Sequence, residues 1–177
     1  MLTIKKTNIF LRLLTLGFLL TAFALQAAEV PRFPEVETSD LNGKTYRLPH
    51  DFGPGKVWLI IAFEREQQRE CDRVFGLFAT LKDSQQHRLF ELPVLNKLNV
   101  FMRWFIQQGM KSGISETNRR AQVLTLHVDL PTWKRTLQIP DNGVYLVRTD
   151  QKGNIDRMIS TQKLQSAIDL EKITELF

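Results

Sequence analysis

Cys71 is the only cysteine in the chain. It sits in Glu64-Arg65-Glu66-Gln67-Gln68-Arg69-Glu70-Cys71-Asp72-Arg73, a run dense in charge of both signs. A thiol in the first turns of a helix can be activated by the helix N-terminus and by a nearby guanidinium, here Arg69 or Arg73. That chemistry would make Cys71 a peroxidatic or redox-sensing nucleophile. Glu70 and Asp72 flank the sulfur, however, and adjacent carboxylates disfavour a thiolate. The plainer reading is a half-buried cysteine used as a small hydrophobe. A single thiol allows no internal disulfide, so the domain relies on packing, and a covalent dimer through Cys71 is the remaining disulfide option. Glu66, Gln67, Gln68 and Arg69 are the candidate binding residues, because loops on a rigid scaffold carry recognition. As a merely solvated helix start, the same run would be balanced by Glu66–Arg69 and Arg69–Asp72 pairs at i, i+3.

Other residue types offer less. His50, His87 and His127 lack metal-ligand spacing, and neither H-E-x-x-H nor a cysteine pair is present, so no metal is expected. His127 with Asp129 could form an acid–base pair, but no nucleophile is near in sequence. No glycine-rich phosphate loop occurs, and no cofactor is expected. Phe101, Trp104 and Phe105 are spaced for the core side of a helix. Arg103 and Lys97 beside them keep a partner-docking or membrane-surface reading open. Arg119 and Arg120 read as solubilising charge.

These residues must be positioned by a strand–helix joint. Lys56 to Phe63 is a continuous apolar run suited to a strand buried on both faces. The helix after it is predicted to run to about Lys82. Short strands at Val36–Thr38 and Thr45–Leu48 flank Asn42-Gly43, a strong hairpin signal. Pro49–Gly55 is a loop. Leu89–Leu95 is a second strand, with Pro93 expected at an edge or at the end of the run. A helix follows over 99–110, weakened at Gly109 and ended by Lys111-Ser112-Gly113. Val123–Val128 is another strand, and Leu130–Leu137 is a short helix with Pro131 near its start. Gly143–Arg148 and Ile155–Ser160 pair around Asp150-Gln151-Lys152-Gly153. Thr161 is expected to cap a last helix with Leu164, Ile168, Ile173 and Leu176 as its apolar stripe.

Residues 1–27 have the three parts of a secretory signal peptide, with Lys5, Lys6 and Arg12 leading, an apolar core over Leu13–Leu25, and Ala27 before the expected cut. Residues 28–177 form the one domain, expected in the periplasm or outside the cell. The leader carries three of the 24 basic residues and none of the 19 acidic ones, so the mature chain is +2 and offers no nucleic-acid footprint.

The order of elements, with Gly55-Lys56 before the central strand and Asp150-x-x-Gly153-x-Ile155 near the end, resembles the thioredoxin-like fold. Asp40-Leu41-Asn42-Gly43-Lys44 and the central strand are similar to the exported TlpA-like and peroxiredoxin branch. Gly109-Met110-Lys111-Ser112-Gly113-Ile114, Arg119-Arg120, Val128-Asp129 and Gly143-Val144-Tyr145-Leu146-Val147 resemble the family of the mitochondrial ATP synthase assembly factor and its bacterial relatives. The resemblance implies a three-layer α/β sandwich with a central mixed sheet and an N-terminal β-hairpin. It also implies a protein partner and association with a membrane complex. Aligned on Phe63, Gln68 and Cys71 take the two positions of the redox C-x-x-C, and Asn142 takes that of the cis-proline facing it. Peroxiredoxins have Thr or Ser three residues before the thiol, where this chain has Gln68. The expected function is an exported, non-catalytic binding or assembly role without dithiol redox activity. The alternative is a one-Cys peroxide or thiol reductase using Cys71.

Overall fold

A computed structural model describes residues 31–81 and 88–175. The leader, His87 and Leu176 fall outside the described residues. Two hairpins frame the sheet and use the same turn chemistry. β1 (Val36–Asp40) pairs with β2 (Thr45–Leu48), and β6 (Tyr145–Asp150) pairs with β7 (Ile155–Ser160). In each, an aspartate closes the first strand. Asp40 Oδ1 accepts from the N–H groups of Asn42 and Lys44, both at 2.9 Å. Asp150 Oδ1 accepts from those of Lys152 and Asn154 at 2.8 and 3.0 Å. Gly43 and Gly153 then turn the chain at φ +92° and +78°, the left-handed region that favours glycine.

Between the hairpins lie β3 (Lys56–Ala62), β4 (Leu89–Asn96) and β5 (Leu124–Val128), which are mutually parallel. The strand order is β2-β1-β5-β4-β3-β6-β7. The helices are α1 (Gln68–Ala79), α2 (Val100–Gly113), α3 (Thr117–Arg120), α4 (Leu130–Thr136) and α5 (Ala167–Glu175). Alternation along β3 feeds two cores. Val57, Leu59 and Ile61 pack with Leu92, Leu124 and Trp133 of α4, while Trp58, Ile60 and Ala62 pack with Cys71, Val74 and Phe78 of α1 and Leu170 of α5. The result is a three-layer α/β sandwich around a mixed sheet.

Several expectations need correction. Pro93 lies inside a central strand. Glu91 bridges Val123 of the next chain segment and the ladder to β5 resumes at Val94, so the missing N–H falls in the gap between the two. Helix α1 stops at Ala79, and α2 continues through Gly109 to Gly113. Thr161 enters a short 3-10 turn; the last helix is capped instead by Ser166, whose Oγ accepts from the Asp169 N–H at 3.3 Å while Asp169 Oδ2 accepts from the Ser166 N–H at 3.0 Å. Ile168 is exposed and Leu170 takes the core position. Phe101, Trp104 and Phe105 do not enter the core. The inward side of α2 carries Ile106, Gln107 and Met110, with Gln107 Nε2 donating to the Asp40 carbonyl at 3.2 Å.

Candidate functional site

The joint after β3 begins with Gln67. Its Oε1 accepts from the N–H groups of Phe63 (2.8 Å) and Glu64 (3.1 Å), and its Nε2 donates to the Asn142 carbonyl. Asn142 returns a bond from Nδ2 to Glu64 Oε1 at 2.9 Å and accepts from Lys134 Nζ at 2.7 Å. The loop carrying Asn142 is therefore stitched to the joint by side-chain bonds.

Gln68 opens α1. Its Nε2 donates to Asp72 Oδ1 at 3.0 Å and to Glu91 Oε1 at 3.3 Å. Glu91 comes from the middle of β4, and its side chain is only 2% exposed. A carboxylate so deep in a sheet needs a cation, and Arg119 of α3 supplies it through a direct Nη2 contact to Oε2. The guanidinium also lies over the Phe75 ring, 3.8 Å from its centroid, and 4.0 Å from Asp72 Oδ1. Beside this pair Asp72, Gly113, Ile114, Ser115, Glu116 and Arg119 line an open cleft of about 260 Å³.

Cys71 is 1% exposed, in the core between the sheet and α1. Burial pushes its thiol up to about 12, the Glu91 and Asp72 carboxylates add to the rise, and Arg119 opposes them. The two arginines nearest in sequence do not activate it. Arg69 is exposed, and Arg73 grips Glu70 through two bonds of 2.8 and 2.7 Å and reaches the Leu164 carbonyl at 2.7 Å. The anticipated Glu66–Arg69 and Arg69–Asp72 pairs are replaced by Glu70–Arg73 and by Arg119 near Asp72. Of the four candidate binding residues, Gln67 and Gln68 serve the joint itself, while Glu66 and Arg69 face solvent.

His127 and Asp129 do not form an acid–base pair. The Asp129 carboxylate caps α4 by accepting from the Thr132 N–H at 3.0 Å, and bonds from Thr132 hold its pKa below the usual carboxylate range. Burial lowers the His127 pKa, with Arg103 adding to the fall. Among the described residues, no group of three or more His, Cys, Asp and Glu side chains could hold a metal ion. Sequence reasoning missed the Glu91–Arg119 pair. The usable signal was a lone carboxylate inside an apolar run, which requires a partner wherever it is buried.

No protein-family model and no curated protein matches the chain. Solved structures do. Yeast Sco1 aligns at 11% identity over 84% of this chain and 96% of that one, with a TM-score of 0.55. The thioredoxin domain of a thiol-disulfide oxidoreductase from Bacteroides vulgatus aligns at 16% identity over 84% and 99%, with a TM-score of 0.52. A putative thiol-disulfide oxidoreductase from the same organism aligns at 13% over 86% and 94%, with a TM-score of 0.53. The fold is thioredoxin-like. In this chain the helix after the central strand opens on an exposed glutamine, Gln68, and the single thiol, Cys71, is buried.

Proposed function

We propose that this chain is an exported thioredoxin-like protein with a non-catalytic binding or assembly role and no dithiol redox activity. One observation carries the reading: the single thiol, Cys71 at the joint, is 1% exposed, and burial with the Glu91 and Asp72 carboxylates pushes its pKa up to about 12. At neutral pH a thiol so placed is almost wholly protonated, and the thiolate is the nucleophile. The secretory pattern of residues 1–27 supports export to the periplasm or beyond. The resemblance to the ATP synthase assembly factor family supports a protein partner within a membrane complex. Glu66 and Arg69 project from the joint, free of the bonds that occupy Gln67 and Gln68, and are the residues offered to that partner. With the sulfur buried, a disulfide between two copies would require α1 to open, so the reading includes a non-covalent protein.

Turnover decides the matter. Purified protein and its Cys71→Ser variant should both fail to reduce insulin disulfide or to consume peroxide above the rate without protein. Peroxide consumption that is abolished by Cys71→Ser would replace this reading with the one-Cys enzyme.

A further inference from the structure

The outer face of α2 is the feature that neither the sheet nor the joint explains. Phe101, Trp104 and Phe105 are 73%, 56% and 62% exposed, and Met102 is 45% exposed. They follow i, i+3, i+4 spacing and so form one patch, with the Phe101 and Trp104 rings 6.4 Å apart. The opposite side already supplies the contacts to the sheet, through Gln107 to Asp40 and Met110 to Thr125. Large rings held in water on a helix that does not need them for packing mark an interaction surface.

We propose that this face docks on an anionic membrane surface, with Phe101, Trp104 and Phe105 entering the headgroup layer. Charge selects the occupant. Residues 92–115 contain Lys97, Arg103 and Lys111 and no acidic residue. Lys97 and Arg103 are exposed beside the rings. Of the nearby aspartates, Asp40 is turned into its own hairpin and Asp129 caps α4. Aromatic rings flanked by basic side chains are the pattern of helices that lie in a bilayer interface. At 14 residues α2 is about 21 Å long, too short to cross a bilayer and suited to lying flat. The inference is independent of the redox reading, since no thiol measurement bears on it.

Trp104 is a built-in reporter. The other two tryptophans, Trp58 and Trp133, are 3% and 5% exposed, and residues 1–30 contain none. The full chain is mixed with vesicles of equal phosphatidylglycerol and phosphatidylcholine, and emission and quenching by brominated acyl chains are followed. Trp104 should shift to the blue and be quenched. Phe101→Ser with Phe105→Ser, both surface changes, should weaken this by about ten-fold or more per ring. Arg103→Gln should cost about five-fold on the anionic vesicles only. The leader is the same in every variant, so these differences report α2. No shift on anionic vesicles, or quenching that the double variant leaves unchanged, overturns the proposal. So does a blue shift without lipid that grows with protein concentration, which would instead mean a second copy on this face.

Discussion

Arg119→Met tests whether the centre of the site is the buried ion pair. The substitution keeps the aliphatic length of the side chain and removes the cation. Glu91, 2% exposed on an interior strand, would keep only the Gln68 amide at 3.3 Å. Stripping one partner from a buried pair costs about 3–5 kcal/mol. The Arg119 side chain is 17% exposed at the edge of the cleft, so the low end applies, about 3 kcal/mol. Loss of the stacking on Phe75 adds about 0.5–1 kcal/mol. Against a total stability of about 5–15 kcal/mol, the change is large. Urea unfolding followed by the buried Trp58 and Trp133 measures it, with an unchanged m-value showing that the two-state transition persists. Glu91→Leu combined with Arg119→Met should recover most of the loss, because no unpaired charge then remains in the sheet. A loss below about 1 kcal/mol for the single variant, or a double variant whose loss equals the sum of the two singles, would refute the reasoning.

Four further outcomes follow from the same geometry. The Cys71 thiol is held above its unfolded value of 9.0, so its contribution is intact below about pH 9 and is lost above it, at about 1.36 kcal/mol per pH unit. By pH 10 wild type should have lost about 1.4 kcal/mol that Cys71→Ala does not lose, and parallel stability curves would count against this. Gln67→Ala removes three bonds at the joint and should cost about 1–2 kcal/mol, with faster hydrogen exchange at the Phe63 amide as the check. Gly153→Ala would bring a Cβ to 2.7 Å from the Phe33 carbonyl oxygen at a positive φ, and should lower stability by about 2 kcal/mol in thermal unfolding. Gln68→Cys puts a thiol at the exposed start of α1; at pH 7 it should react with a disulfide reagent about a thousand-fold faster than Cys71, and equal rates would show that the seal over Cys71 is not real.

What could be read from the sequence was local. The hairpins were legible because Asp40 with Gly43 and Asp150 with Gly153 encode their turns within five residues. The strand over 56–62 was legible because an unbroken apolar run fits a position buried on both faces. Helix α2 shows where periodicity stops. It has one stripe at Phe101, Trp104 and Phe105 and another at Ile106 and Met110, and only the sheet decides which turns inward. Larger rings made the wrong stripe look like core. The Glu91–Arg119 pair was hidden for another reason: its members are 28 residues apart, and only the parallel pairing of β4 with β5 brings α3 over β4. Thr161 and Ser166 are both plausible caps by residue type, and the reciprocal Asp169 three residues after Ser166 decides between them.

The position of Cys71 would ordinarily favour reactivity, since it is the fourth residue of α1. A helix N-terminus stabilises a nearby anion by about 0.3–1 kcal/mol, and by about 2 kcal/mol in a favourable site. Here the thiol is moved the other way, from 9.0 to about 12. A displacement of that size corresponds to about 4 kcal/mol against the thiolate. Burial and the two carboxylates therefore outweigh the helix by at least two-fold. The guanidinium that could have tipped the balance, Arg119, is already committed to Glu91, and it lowers the thiol's pKa by less than that carboxylate raises it. Reactivity at this joint would require either an open path to the sulfur or a cation released from Glu91. Burial of Cys71 in the core between the sheet and α1 closes the first, and the depth of Glu91 in the sheet forbids the second, so the packing that stabilises the domain keeps its thiol silent.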